Sequence, residues 1–250
     1  MIAKELVEGK VALVTGASRG IGAGLAEEFV RAGMKLVLCS RSQPAMDEGE
    51  SVIARSVDVR DESEMESLVA DAQRRFGAID LWINNAGVLD PVAPVRDTEV
   101  AAFREHIDIN LVGVFIGTRC YVRHLRRHDR SGVLINLSSG AAWNAYEGWG
   151  AYCAGKAGVE RLTEVVAKEE ADAGLRAYSI APGVVDTAMQ EAVRGTDPEI
   201  FPDLDYFLGL KRDDGFNTVP FIAEHFLRIA FDPAQRPDAV ALRLPREKEA

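Results

Sequence analysis

Short, continuous apolar runs alternate with longer segments of helical period along this chain, and that alternation restricts the fold more than any other feature. The runs at 11–15, 35–40, 52–57, 81–84, 133–137, 176–180 and 240–244 are largely apolar throughout, as strands must be when a sheet is covered on both faces. The stretches at 22–32, 62–76, 98–118, 152–173 and 220–231 carry apolar residues three and four apart, the spacing of an amphipathic helix. Strand-helix-strand repetition of this kind builds a parallel sheet. We therefore expect one doubly wound α/β domain over residues 1–250, with a seven-stranded parallel sheet and helices on both faces. Two connections depart from the rhythm. Segment 41–51 holds Pro44 and Gly49 and is too short for a full helix between strands. Segment 189–219 is broken by Pro198, Pro202, Gly209 and Gly215 and carries Phe201, Tyr206, Phe207 and Phe216, so it is expected to be a substrate-loop insertion, a lid or binding loop.

Charge and composition remove several classes of function. Hydrophobic residues at 47% and charged residues at 27% suit a globular chain rather than a disordered one. A net charge of −10 repels phosphate backbones and anionic lipid, so neither nucleic acid nor membrane is an expected partner. Lys4, Glu5, Glu8 and Lys10 interrupt the N-terminus, which leaves no apolar signal core, and a cytoplasmic location is expected. Cys39, Cys120 and Cys153 form no C-x-x-C pair, which argues against disulfides or zinc and for buried thiols. His106, His124, His128 and His225 have no metal-ligand spacing, and structural or surface roles are expected of them. An anionic ligand would need a local positive site.

Such a site is legible after the first strand. Gly16, Gly20 and Gly22 stand in a strand-to-helix turn, Thr15-Gly16-Ala17-Ser18-Arg19-Gly20-Ile21-Gly22. There Gly16 can take the tight turn, Gly20 admits a diphosphate, and Gly22 lets helix approach strand, while the helix N-terminus offers free N–H groups. Ser18 and Ile21 belong to the same turn. The second strand ends Leu38-Cys39-Ser40-Arg41. A site for NAD places an acid about 20 residues after the glycines to hold the ribose; here Ser40 stands in its place, and Arg41 with Arg19 can meet a 2′-phosphate. NADP, as NADPH, is therefore the expected cofactor.

A second constellation supplies acid–base chemistry. The fifth strand leads into Ser138-Ser139, and Tyr152 and Lys156 follow at i and i+4 on one helical face. A fixed ammonium can draw a phenol pKa down from about 10 toward the useful range, and Ser139 can hydrogen-bond the same carbonyl oxygen.

With its G-x3-G-x-G spacing the chain resembles the short-chain dehydrogenase/reductase family, from about Gly9 to Asp186, and the resemblance implies a Rossmann-type NAD(P)-binding domain. Asn84-Asn85-Ala86-Gly87 closes the fourth strand, where Asn85, Ala86 and Gly87 are implied to support the adenine side, and Asp58 after the third strand to lie near the adenine amino group. The resemblance assigns carbonyl polarisation to Ser139, acid–base work to Tyr152, the nicotinamide ribose and the Tyr152 pKa to Lys156, and a water linking Lys156 to solvent to Asn110. It assigns the nicotinamide carboxamide to the segment Pro182-Gly183-Val184-Val185-Asp186-Thr187, through the Val185 backbone and the Thr187 hydroxyl. It also implies a homodimer or homotetramer paired through the Tyr152 helix and the helix before it, with Val159, Leu162 and Val166 divided between sheet and partner.

Gly148-Trp149, Tyr152-Cys153-Ala154-Gly155-Lys156-Ala157 and the run from Ala181 to Gln190 are most similar to the sepiapterin reductase and benzil reductase subgroup. Trp143, Tyr146 and Trp149 could stack as a ring-accepting pocket or pack at a subunit interface. Ala241 stands where a pterin-anchoring acid is implied in sepiapterin reductases, which favours a plain aromatic or vicinal diketone. The expected activity is NADPH-dependent reduction of a small-molecule ketone or diketone. A 3-oxoacyl thioester reductase, an NAD(P)-dependent alcohol dehydrogenase and a cofactor-sensing binding protein are the alternatives, the last disfavoured by the joint presence of Ser139, Tyr152 and Lys156. No metal is expected.

Overall fold

A computed structural model describes residues 2–250. Strands β1 (Val11–Thr15), β2 (Lys35–Ser40), β3 (Val52–Ser56), β4 (Leu81–Asn84), β5 (Gly132–Leu137), β6 (Leu175–Ala181) and β7 (Ala241–Arg243) form one sheet of order β3-β2-β1-β4-β5-β6-β7. Every neighbouring pair is parallel. The chain winds outward from β1 to β3 and then returns to β4 beside β1, so the winding reverses between β1 and β4. Crevices for ligands open at such a reversal, outside the C-terminal strand ends.

The helices are α1 (Lys4–Val7), α2 (Gly20–Arg31), α3 (Glu62–Phe76), α4 (Val100–Ile107), α5 (Gly113–His128), α6 (Gly150–Glu169), α7 (Ala188–Arg194), α8 (Leu204–Arg212) and α9 (Val219–Phe231). One face of the sheet is covered by α1, α2 and α9, through Val7, Leu25, Phe29, Ile222 and Phe226. The other is covered by α3, α5 and α6, through Met65, Leu68, Ile116, Tyr121 and Val166. A third apolar cluster sits beyond the sheet under α7 and α8, where Val193, Leu204, Phe207 and Leu210 meet Trp149 and Tyr152.

The expected architecture holds, and the differences have physical causes. The stretch expected at 98–118 runs as α4, one π-helical turn at Asp108–Val112, and α5, ending at His128. The last turns are dense in arginine, yet Cys120, Tyr121 and Leu125 keep the buried stripe going while Arg119 and Arg123 pair with Glu62 on α3. The 41–51 connection has no helix, as its length requires. The 189–219 segment is not an irregular loop but carries α7 and α8, because Leu204, Phe207 and Leu210 recur at helical spacing against the aromatic cluster. At the edge, β7 spans only Ala241–Arg243. Val159 and Val166 are buried in the domain, so neither faces a partner. The exposed apolar side chains on this flank are Val112, Phe115 and Val165. No described helix is long and apolar enough to cross a membrane. Cys39 and Cys120 are buried free thiols, pushed up by burial to about 12 and about 11.

A buried polar chain stitches the centre of the sheet to its covering helices. The Trp82 indole N–H donates to Asn84 Oδ1 (2.8 Å), Asn84 Nδ2 donates to Asn136 Oδ1 (2.8 Å), and Asn136 Nδ2 donates to Thr163 on α6 (2.9 Å). All four residues are at most 3% exposed, so each unmade bond would leave a polar group away from water. Asn84→Ala is expected to destabilise the protein by about 2–4 kcal/mol, seen as a clear fall in thermal midpoint. An unchanged midpoint would show that the chain of amides contributes nothing.

Candidate active site

At the reversal point the ends of β1 and β4 are tied directly together. The Thr15 hydroxyl oxygen accepts from the backbone N–H groups of Asn85 and Ala86, at 3.0 Å each. The Asn85 amide donates back to the carbonyls of Thr15 (2.8 Å) and Gly16 (3.2 Å). Gly16 has φ +68°, and a methyl there would meet Ala86 Cα at 2.7 Å; one at Gly22 would meet the Gly16 carbonyl oxygen at 2.4 Å. No side chain fits at Gly16 or Gly22, so the backbone there stays open to a ligand. α2 starts at Gly20 after Arg19 in extended backbone, with no side-chain cap, and its first-turn N–H groups remain available to an anion. Ser18 and Ile21 are half-buried around the turn. Across it lies Thr187, whose Cγ2 would stand 3.4 Å from a Cβ at Gly20.

This cradle fits the diphosphate of a dinucleotide, and exposed Arg19 and Arg41 flank it. Two expected contacts look different. Ser40 is buried and donates its hydroxyl to the Ser42 carbonyl (2.8 Å), so it closes the strand end instead of presenting a hydroxyl to the ribose. Asp58 accepts from Arg60 Nε and Nη2 at 2.6–3.1 Å. The Arg60 guanidinium, with a contribution from Arg41, holds the Asp58 carboxyl below its ordinary range.

The proton-handling groups stand at the end of β5. Ser139 begins the short turn Gly140–Ala142 and accepts from the Ala141 N–H (3.2 Å). Its hydroxyl also lies close enough to the Tyr152 hydroxyl to favour the loss of the phenol proton. Tyr152 and Lys156 lie in the first two turns of α6, only 8% and 7% exposed. Lys156 Nζ donates to the Leu137 carbonyl (2.8 Å) and stands 5.6 Å from the Tyr152 ring centroid. The expectation that Lys156 depresses the Tyr152 pKa is not what this arrangement gives. Burial raises the Tyr152 phenol above its ordinary value, opposed by the Ser139 hydroxyl nearby, and burial pushes the Lys156 ammonium down to about 8. Tyr152 therefore holds its proton firmly at neutral pH, the state a proton donor needs.

Asn110 sits in the π-helical turn, a feature that often marks functional sites. Its Oδ1 accepts from the Val88 N–H (2.8 Å), and its Nδ2 donates to the Val88 carbonyl (2.7 Å) and faces His106 Nε2 (2.7 Å). The side chain expected to hold a water for Lys156 is thus committed to the loop after β4. That loop contains Gly87, where a Cβ would approach Asn110 Oδ1 at 3.0 Å. His106, expected to be structural or superficial, is buried beside the Tyr152 ring (centroids 6.0 Å, 82°). A histidine four residues before Asn110 was its only trace in the sequence.

The strand end after β6 closes the site. Pro182 and Val185 are buried, Asn217 Nδ2 donates to the Pro182 carbonyl (2.8 Å), and Gly183 packs against the same amide. Thr187 leads into α7 without capping it, so its hydroxyl is not used by the helix. Asp186 pairs with Arg194 on α7 (2.8 Å) and Lys211 on α8 (3.3 Å), pinning the helical cover to this strand end. Under that cover Trp149 stacks on Phe201 (4.7 Å, 11°) and meets Tyr152 edge-on (5.6 Å), with Tyr146 and Phe207 alongside. Trp143 does not join them: it is 44% exposed and donates to Glu160 (2.7 Å). The apolar wall beside Tyr152 is therefore built from Tyr146, Trp149 and the cover's own phenylalanines.

The depressed Lys156 gives a stability signature. With a folded value of about 8 against an ordinary 10.5, the burial cost is fully present below pH 8 and disappears as pH rises toward 10.5, where both states are neutral. Lys156→Met should stabilise the protein by about 2 kcal/mol at pH 7, and that gain should shrink by pH 10. Thermal melts at the two pH values check this; a variant less stable than the parent at pH 7 would contradict it.

Comparison with known proteins agrees with the geometry. The family model for short chain dehydrogenase matches residues 10–198. Over 244 residues the chain is 31% identical to a benzil reductase ((S)-benzoin forming) from Bacillus cereus, covering 93% of this chain and 98% of that one. It is 36% identical over 202 residues to 3beta-hydroxysteroid dehydrogenase 1 of Eggerthella lenta, with 77% of each covered. A crystal structure of a short-chain dehydrogenase/reductase from Saccharomyces cerevisiae superposes with TM-score 0.85 at 29% identity, covering 96% and 98% of the two chains. The glycine cradle, the serine, tyrosine and lysine around one buried point, and the match over most of the chain give one conclusion: the protein belongs to the short-chain dehydrogenase/reductase family of nicotinamide-dependent oxidoreductases.

Proposed function

We propose that the protein is an NADPH-dependent carbonyl reductase acting on an apolar ketone or diketone, with Tyr152 as the proton donor. The observation that carries this reading is the convergence of Ser139, at the end of β5, with buried Tyr152 and Lys156 on α6, the lysine held on the Leu137 carbonyl. When bound, the nicotinamide supplies a hydride to the carbonyl carbon. Ser139 holds the carbonyl oxygen next to the Tyr152 hydroxyl, and the phenol gives that oxygen its proton, so ketone, hydride and proton become an alcohol. Lys156 would hold the nicotinamide ribose, and solvent returns the proton to the phenolate. Arg19 and Arg41 hold the 2′-phosphate while the Gly16–Gly22 turn and the α2 N–H groups hold the diphosphate. Thr187 and the Val185 backbone take the carboxamide.

The aromatic wall beside Tyr152 favours a ring-bearing substrate, in keeping with the benzil reductase similarity. Ala241, at the start of β7, offers no acid for a pterin edge, so a benzil-type diketone suits the site better than sepiapterin. The exposed ridge of Val112, Phe115 and Val165 on α5, α6 and the turn between α4 and α5 supports a homodimer or homotetramer formed there.

NADPH oxidation across a panel of aldehydes, aromatic diketones, pterins and oxoacyl thioesters tests the activity directly. Tyr152→Phe should keep the fold and NADPH binding but lower kcat about a hundredfold or more; near-normal turnover would refute the proton-donor role. Arg41→Asp should weaken NADPH binding about tenfold to a hundredfold and improve NADH, since it removes a phosphate partner and adds a ribose acceptor. Unchanged NADPH affinity would place Arg41 outside the site.

A further inference from the structure

We propose that His106 is a positioning residue of this site, required in its neutral form because its Nε2 is the acceptor that locks Asn110, and through it Val88, beneath the catalytic helix. The proposal rests on the carbonyl reductase reading of Ser139, Tyr152 and Lys156.

Hydrogen-bond bookkeeping fixes the imidazole from both ends. His106 Nδ1 lies 2.6 Å from the Asp90 carbonyl oxygen, which can only accept, so Nδ1 carries a proton. Asn110 cannot turn over, because the Val88 N–H requires its Oδ1 and the Val88 carbonyl requires its Nδ2. The second Nδ2 proton is then aimed at His106 Nε2, 2.7 Å away, and Nε2 must be bare. One tautomer satisfies every partner, and the imidazolium satisfies none better. A proton on Nε2 would set N–H against N–H inside a pair of residues that are each 1% exposed.

The pair forms the floor on which α6 rests. A methyl on Gly155 would stand 3.4 Å from His106 Nε2 and 3.5 Å from Asn110 Cβ, and Gly155 lies between Tyr152 and Lys156 in sequence. The His106 ring also meets the Tyr152 ring edge-on. Moving His106 therefore shifts the helix turn that carries the proton donor and, through Asn110, the loop after β4 that borders the cofactor cradle. The charged and titratable groups facing the imidazole are Lys156 and Tyr152 from α6 and Asp90 from the loop. Burial, the largest effect, and the Lys156 ammonium oppose a second proton, while the Asp90 backbone bond and carboxylate favour it; the balance lies below the ordinary histidine value. The neutral form is thus kept at physiological pH and lost on acidification below the ordinary range.

Two measurements on the full-length chain test this. Long-range 1H–15N spectra, with His106→Gln to identify the signal among the four histidines, should show His106 protonated at Nδ1 only at pH 7.5; an Nε2–H tautomer or an imidazolium at that pH would overturn the proposal. In kinetics with NADPH and the best carbonyl of the panel, His106→Phe, which keeps a ring against Tyr152 but no acceptor, should lower kcat about tenfold with KM changed less than about threefold. His106→Gln, whose amide oxygen can stand in for Nε2, should restore kcat to within about threefold and remove the acid-side decline of the parent enzyme. Parent-like kcat and pH profile in both variants would overturn the proposal. If His106→Phe does not fold, an acid limb unchanged in His106→Gln would overturn it alone. Full activity in Tyr152→Phe, or no carbonyl reduction by the parent, would instead refute the reading of the site, while the spectra still decide the state of His106.

Discussion

Two neighbouring strands whose chains depart in opposite directions must be held together where they end, and Thr15 and Asn85 do this between β1 and β4. The Thr15 hydroxyl takes two backbone N–H groups from the β4 loop, and the Asn85 amide returns a bond to the β1 carbonyl. Without that tie the crevice at the winding reversal would have no fixed floor, and the glycine turn above it would lose the surface that sets its shape. The close approach of Gly16 to Ala86 is a consequence of the same contact. Asn110 then clamps the next residues of the β4 loop to the π-helical turn, and that turn supports α6. The cofactor cradle and the catalytic helix are thus parts of one hydrogen-bonded frame centred on a single loop.

The frame holds groups that are costly to bury. Lys156 is nearly enclosed with its ammonium on the Leu137 carbonyl, and Tyr152 is enclosed one turn before it on the same helix. A buried lysine with its ammonium is costly to keep for stability alone, and residues kept at such cost are candidates for function. The enclosure also keeps the phenol protonated, as the proposed proton-donor role requires. The helical cover of α7 and α8 deepens the enclosure, held by Asp186 through Arg194 and Lys211 and filled with stacked rings.

Much of this was legible in the sequence because it depends on short-range spacing. Alternating apolar runs fixed a parallel sheet, the glycine turn lay where strand passes to helix, and Tyr152 and Lys156 shared a helical face. What escaped depends on which way a side chain turns and on partners that only the fold brings in. Ser40 could stand in for an acid on paper, but whether its hydroxyl faces the ribose is decided by the Ser42 carbonyl. Asp58 reads as an open carboxylate until Arg60 folds back on it. His106 gave no ligand spacing, and only the fold brings it against Asp90, Asn110 and Tyr152. The Tyr152 pKa ran opposite to expectation because spacing reveals the neighbouring charge but not the depth of burial. The cover helices were hidden by the prolines and glycines around and within them, although Leu204, Phe207 and Leu210 carried the period.

The central claim is that this site joins a hydride donor and a carbonyl carbon above Tyr152. The most direct measurement uses NADPH deuterated at its transferable position, with benzil as the carbonyl, and locates the label in the product by mass spectrometry and NMR. Deuterium is expected on the carbinol carbon of one benzoin enantiomer in excess, with exchangeable hydrogen on the hydroxyl. NADPH consumption without label in the product, or benzoin carrying solvent hydrogen at that carbon, would contradict it.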